Sequence, residues 1–308
     1  MPAVPAQVRI VEVGPRDGLQ NESSAISVGL RIELIERLAD AGLTTIEAGA
    51  FVSPRRVPNM AGSGDVMRAL QRRPGVSYPC LVPNDTGLDA ALAAGCDEIA
   101  IFAAASDTFS QRNISCGITE SMNRLGAVAT RALDAGLRVR GYLSCVLGCP
   151  YEGAVAGATV AALAHELSSM GCHEVSLGDT IGVGTPHQVR ALVDEVARRV
   201  PVARLAGHFH DTMGMGVANV YAAMLSGVAV FDTSVAGLGG CPFAPGASGN
   251  VATEDVVYML EGAGVHTGVN PERLTGVARW ISALLGKQPM SHIALAARCA
   301  GLPEDGTP

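Results

Sequence analysis

Over residues 28–41 apolar side chains recur at three- and four-residue intervals (Leu30, Leu34, Ile35, Leu38), the stripe of a helix with one buried face. Short runs dense in Val, Ile and Ala stand on either side, at 8–13 and 44–48, and predict strands buried on both faces. The couplet then repeats. Strands are predicted at 76–82, 98–103, 137–145, 174–177, 205–209 and 228–235, with helices between them. Ala41-Gly42-Leu43, Ala94-Gly95-Cys96, Ala135-Gly136-Leu137, Met170-Gly171-Cys172 and Ser226-Gly227-Val228 each set a glycine just past a helix and before a strand. A left-handed helix cap needs that residue there. Thr185-Pro186 marks a helix start, a capping residue followed by the favoured first-turn proline.

Eight strand–helix units at this spacing predict an α/β protein, a (β/α)8 TIM barrel. Periodicity alone does not show closure, so an open doubly wound sheet is the alternative. After about residue 268 the register changes: 271–285 and 291–300 predict extra helices, and 303–308 a loose tail. The expected organisation is a catalytic barrel over 1–268 and a C-terminal helical extension over 269–308, packed on the barrel.

Composition narrows the function. The 308 residues include 4% aromatics, so the core must be built from Ala, Val, Leu and Ile. A formal charge of −7 without long runs of one sign argues against nucleic acid or an anionic membrane as partner. An anionic small substrate would need a local cationic site. There is no apolar run of about 20 residues and no signal-peptide pattern at the start, which predicts a cytoplasmic protein. The eight cysteines form no CxxC pair and are expected to be reduced and mostly buried.

In such a barrel the reacting groups sit at the carboxyl ends of the strands. Arg16 and Asp17 follow the first strand, Glu47 lies on the second, Asp179 ends the sixth, and His208 and His210 lie on the seventh. Cys241 and Asn250 follow the eighth. In His208-Phe209-His210 alternate residues face one way, so both imidazoles can approach one ion; a hydrogen-bonded strand-end pair is the plainer alternative. Asp17 and the Asn250 amide oxygen would complete a mixed nitrogen and oxygen set suited to Mg²⁺ or Mn²⁺. Arg16 is a candidate cation for a developing oxyanion, or one half of a surface ion pair. Cys241, in Gly237-Leu238-Gly239-Gly240-Cys241-Pro242-Phe243, could be carried over a substrate by a hinged loop, or be incidental to a tight turn. Those glycines do not fit a dinucleotide fingerprint. Glu47 and Asp179 either orient a histidine or Arg16 or satisfy backbone amides. Gly182-Val183-Gly184 could offer amides to a phosphate or simply enter a helix.

Several longer segments resemble the 3-hydroxy-3-methylglutaryl-CoA lyases. They are Val13-Gly14-Pro15-Arg16-Asp17-Gly18-Leu19-Gln20-Asn21-Glu22, Phe51-Val52-Ser53-Pro54, Glu174-Val175-Ser176-Leu177-Gly178-Asp179-Thr180-Ile181-Gly182, and the run from Ser234 to Phe243, continued by Gly246 to Asp255. The similarity extends to about residue 285. It implies retro-Claisen cleavage of an acyl-CoA into acetyl-CoA and a keto acid, with one divalent cation, Mg²⁺ or Mn²⁺, and a homodimer. Residue by residue, it implies Asp17, His208, His210 and Asn250 as cation ligands and Glu47 as support for their shell. Arg16 would hold the thioester oxygen, Gln20 would touch substrate, and Cys241 would act as acid and base from a mobile loop. Asp179 and Glu254 would be supporting carboxylates. The chain departs from that pattern after Asn21-Glu22, where a lysine is common, and at Ala50, Arg55, Arg56, Asn59 and Met213-Gly214-Met215, which is expected to make the mouth more apolar and adaptable. The alternatives are the same cleavage of citramalyl-CoA or of a longer 3-substituted glutaryl-CoA, a condensing synthase, and a non-catalytic acyl-CoA binder.

Overall fold

The computed structural model describes residues 4–240 and 249–299. Its single sheet holds eight parallel strands: β1 (Arg9–Glu12), β2 (Gly49–Ala50), β3 (Cys80–Leu81), β4 (Glu98–Ala104), β5 (Arg138–Ser144), β6 (Glu174–Asp179), β7 (Leu205–Phe209) and β8 (Val230–Thr233). Strands adjacent in sequence are adjacent in space, and β1 pairs with β8 from Arg9 opposite Val230 to Glu12 opposite Thr233. The remaining seam is closed by backbone bonds from Glu12 N to Thr45 O and from Glu47 N to Glu12 O, both 2.9 Å. The sheet is therefore a closed (β/α)8 barrel, not an open doubly wound one.

β2 begins just past the run predicted at 44–48, and β3 is shorter than the run predicted at 76–82. Pro79 has no N–H to give to the ladder, and Thr45, Ile46 and Ser77 pair only as isolated bridges. Elsewhere the local signals decide the structure. All five glycines of the recurring pre-strand pattern have positive φ, from +72° at Gly95 to +98° at Gly42. Thr185 and Gln188 cap α7 (Pro186–Ala197) reciprocally, Gln188 Oε1 accepting from Thr185 N at 3.0 Å.

The outer helices bury their apolar faces on this cylinder. In α1 (Val28–Asp40), capped by Ser27, Leu34, Ile35 and Leu38 are fully buried. α4 (Asp107–Ile114) is an added helix between β4 and α5 (Ile118–Asp134), and its C-terminal end forms part of the rim of the mouth. After α9 (Thr253–Gly262), α10 (Pro271–Leu284) packs on α1 and α9, where Arg37 lies 4.4 Å over the Trp280 ring. α11 (His292–Cys299) packs on α9 and α10. The tail expected at 303–308 lies outside the described residues. Among the described residues no helix is long and apolar enough to cross a membrane.

Inside the barrel, Val11, Val13, Ala206 and Val230 form a small apolar cluster of their own. Around it lies an ionic ladder that runs from the half-buried Arg9 to the buried Glu174, Arg140 and Asp232: Arg9 to Glu174, Glu174 to Arg140, Arg140 to Asp232. Its upper end meets the mouth at His208.

Candidate active site

Beyond β1 the chain makes a single π-turn, closed by Gly18 N bonding to Val13 O at 3.1 Å. Gly14 must be glycine there, since a Cβ would stand 2.6 Å from Glu12 Oε1. That oxygen ties the turn down, accepting from Gly14 N (2.8 Å) and Val235 N (2.9 Å). The turn, rather than the strand end itself, presents Arg16 and Asp17 to the mouth.

At the end of β7 the two imidazoles converge, with ring centroids 5.3 Å apart, while Phe209 between them in sequence is buried. Ligand atoms of Asp17, His208 and His210 all lie within 4.8 Å of one another. The chain returning after β8 is zipped onto β7 by bonds from Asp211 N to Gly249 O and from Val251 N to Phe209 O. This brings Asn250 to the cluster, its Nδ2 donating to Asp17 Oδ2 at 2.8 Å. The four residues expected to bind a cation thus meet at one place.

Their donor atoms fit a divalent ion. Asn250 Oδ1 and His210 Nδ1 are buried without a hydrogen-bond partner. Leaving such atoms unsatisfied costs about 1–3 kcal/mol each, a cost that ligation removes. His208 Nδ1 is engaged by Asp232 Oδ2 at 3.2 Å, which leaves Nε2 as the atom it could offer a cation. Burial works to raise the Asp17 carboxyl, but Arg16, both imidazoles and the Asn250 amide bring it down to about 2. Burial and then the neighbouring His208 lower His210 to about 4, so it is held neutral, the form that coordinates metal.

Glu47 does not join this cluster. Its Oε2 accepts from Arg16 Nε at 2.6 Å, so it supports the guanidinium, not the cation shell that the resemblance implies. Arg16 also donates through Nη1 to Asp17 Oδ1 at 2.5 Å, and Gln20 Nε2 reaches the same oxygen at 2.8 Å. Asp179 is a fully buried strand-end carboxylate whose oxygens accept from Val183 N (3.2 Å) and Gly184 N (2.8 Å). Those amides are therefore spent on Asp179 and are not offered to a phosphate. Glu254 sits beneath the exit of β8, where both oxygens accept from Ala236 N, and burial raises it to about 8. Cys241 lies outside the described residues.

The sequence reading passed over Glu12, Arg140, Tyr142, Glu174 and Asp232. Tyr142 lies between two guanidinium groups, 5.5 Å from Arg16 and 4.8 Å from Arg140, with its edge towards His208. The one charged residue of β8, Asp232, was the signal available; on β5, Arg140 is accompanied by Arg138.

Arg16, Asp17, Gln20, His208 and His210 line one side of a cavity of about 810 Å³. Its opposite flank carries three exposed arginines, Arg56, Arg112 and Arg124, above apolar walls that include Phe102, Phe109 and Leu125. The expectation of a more apolar mouth is corrected here. Met213 and Met215 are exposed away from the cavity, Ala50 is buried in β2, and the departure that does reach the lining, Arg56, is cationic.

Fold and site together define a (β/α)8-barrel protein with a candidate divalent-cation centre at its mouth. A family profile described as HMGL-like matches residues 7–281. The chain is similar to the hydroxymethylglutaryl-CoA lyase of Pseudomonas mevalonii, 58% identical over 295 residues that cover 95% of this chain and 98% of that one. It is 56% identical over 293 residues to the 3-hydroxy-3-isohexenylglutaryl-CoA/hydroxymethylglutaryl-CoA lyase of Pseudomonas aeruginosa, covering 95% and 98%. The crystal structure of hydroxymethylglutaryl-CoA lyase from Pseudomonas aeruginosa matches with a TM-score of 0.95 at 56% identity, covering 96% of this chain and 99% of that one. The chain belongs to the HMGL-like family.

Proposed function

We propose that this protein is a divalent-cation-dependent carbon–carbon lyase that cleaves 3-hydroxy-3-methylglutaryl-CoA to acetyl-CoA and acetoacetate. The observation that carries the reading is the convergence of Asp17, His208 and His210, with Asn250 beside them, on a cavity that Arg16 also lines. Full-length similarity to lyases named for this substrate supports it. Asp17, His208, His210 and Asn250 would hold Mg²⁺ or Mn²⁺, which supplies Lewis acidity and a template for the substrate hydroxyl and carboxylate.

The chain's own residues then have distinct tasks. Once water at the open mouth takes the 3-hydroxyl proton, the C3–O bond becomes a carbonyl as the C2–C3 bond breaks, and the electron pair of that bond moves onto the thioester as an enolate. Arg16 meets that oxygen, because Glu47 and Asp17 fix its Nε and Nη1 while the side chain still lines the cavity. Cys241 gives the proton that C2 needs to become acetyl-CoA. Asp17 suits anchoring better than base catalysis: its carboxylate is held at about 2 and accepts from Arg16, Gln20 and Asn250. Arg56, Arg112 and Arg124 supply the local cationic site that an anionic CoA tail requires on an acidic protein.

The test is acetyl-CoA release by protein stripped with chelator and reloaded with Mg²⁺ or Mn²⁺. The methylglutaryl, isohexenylglutaryl and citramalyl thioesters are offered side by side. Cation-dependent turnover highest on the methylglutaryl thioester is expected. Undiminished turnover after stripping refutes the metal role, and a faster isohexenylglutaryl reaction transfers the same chemistry to the longer substrate.

A further inference from the structure

We propose that Asp232 is a positioning residue for His208: its carboxylate, fixed by Arg140 and Ser176, holds the imidazole as the Nδ1–H tautomer with Nε2 open towards Asp17 and His210. The inference rests on the cation-dependent reading above and deepens it. Asp232 is 1% exposed and lies on β8 one strand from His208, directly opposite it in the β7–β8 register. Its Oδ2 accepts from Ser176 Oγ at 2.6 Å and meets His208 Nδ1 at 3.2 Å. Arg140 Nη2 donates to Oδ1 at 2.7 Å, and Nη1 reaches Oδ2 at 3.3 Å.

An ionised carboxylate only accepts, so the imidazole nitrogen facing it must carry the proton. The lone pair is then on Nε2, where a cation can take it. The carboxylate itself cannot turn freely. Arg140 is held from behind by Glu174, whose Oε1 accepts from Arg140 Nε at 2.7 Å, and Glu174 is paired in turn with Arg9. Tyr142 stacks on Arg140 and stands edge-on to His208, with ring centroids 6.2 Å apart. Neither Asp232 nor Arg140 lines the cavity, so neither can touch substrate, and both would act only through the histidine.

Asparagine at this position separates positioning from mere packing. Arg140 Nη2 requires an acceptor where Oδ1 now is, which places the amide nitrogen at the Oδ2 position, facing His208. That N–H forces the ring to accept at Nδ1 and moves its proton to Nε2, although the shape of the side chain is unchanged.

Two measurements test this on the whole chain stripped of metal. Long-range proton–nitrogen spectra at alkaline pH, assigned by the signals lost in His208→Gln, read the tautomer, and Mn²⁺ titration reads the affinity. The wild type should show Nδ1–H; Asp232→Asn should show Nε2–H and bind Mn²⁺ about 10–100-fold more weakly. Wild-type protein with Nε2–H overturns the proposal even if the variant does not fold. Normal Mn²⁺ binding by a folded Asp232→Asn protein overturns it as well, while leaving the lyase reading intact. A wild type that binds no Mn²⁺ sinks the cation-dependent reading, and the ligand role of His208 with it.

Discussion

Two buried arginines flank the ring of Tyr142 and do opposite things. Arg140, inside the barrel, gives every guanidinium nitrogen to a carboxylate: Nε to Glu174, Nη1 and Nη2 to Asp232. Arg16, at the mouth, commits Nε to Glu47 and Nη1 to Asp17, and among the described residues its Nη2 has no hydrogen bond. One cation is fully matched and serves architecture. The other is aimed by its partners and lines the cavity with an Nη2 that no described residue engages. The difference teaches that burial and pairing alone do not mark a catalytic arginine; an unspent donor on a cavity wall does.

Removing each cation should expose the contrast. Arg140→Met leaves Asp232 buried without its counter-ion and Glu174 with Arg9 alone, a loss on the order of 3–5 kcal/mol in urea unfolding. Arg16→Gln keeps a donor for Glu47 but loses the charge at the cavity. It should lower kcat by roughly 10²–10³, about 3–4 kcal/mol of barrier, with a smaller stability loss than Arg140→Met, because the amide still donates to the buried Glu47. Equal stability losses in both variants would erase the distinction, as would unchanged acetyl-CoA release by Arg16→Gln.

Carboxylates that lack a cation at the other buried position sharpen it further. Burial raises Glu254 from its ordinary 4.5 to about 8, against the pull of the Ala236 amide. The folded chain keeps this proton where the unfolded chain has lost it. Stability should therefore fall as pH climbs from about 4.5 to 8, then level off. Thermal melts at pH 6 and pH 8.5 should show Glu254→Gln flattening that decline, by on the order of 1–3 kcal/mol. A decline as steep in the variant as in the wild type would assign it elsewhere. The smallest effect belongs to the exposed rim. Changing both Arg56 and Arg112 to Ala should raise KM about 3–10-fold at unchanged kcat, with the gap closing at high salt. A KM that does not move would remove the rim from substrate binding.

How far the sequence went follows from which signals are local. Helix caps, the pre-strand glycines and the 3.6-residue stripe of α1 depend on neighbours within a turn, and they were legible. So were Arg16, Asp17, His208, His210 and Asn250, because their strand ends could be located without knowing how the sheet closes. The ladder from Arg9 to Asp232 was not legible. Its members come from β1, β5, β6 and β8, and only the stagger of a closed barrel brings them level. Glu47 was legible as a residue that orients a histidine or Arg16, but only the closed barrel decides between them, in favour of Arg16. The short reach of β2 and β3 reflects Pro79, whose effect on the ladder depends on which neighbour it faces.

Gly239 and Gly249 press together so closely that a Cβ on Gly249 would lie 2.4 Å from the Gly239 carbonyl carbon. The chain before residue 241 and the chain after residue 248 are therefore pinned together beside Asn250. A side chain at position 249 would wedge these backbones apart and carry the Asn250 amide away from Asp17, so the smallest residue in the neighbourhood sets the register of the whole mouth.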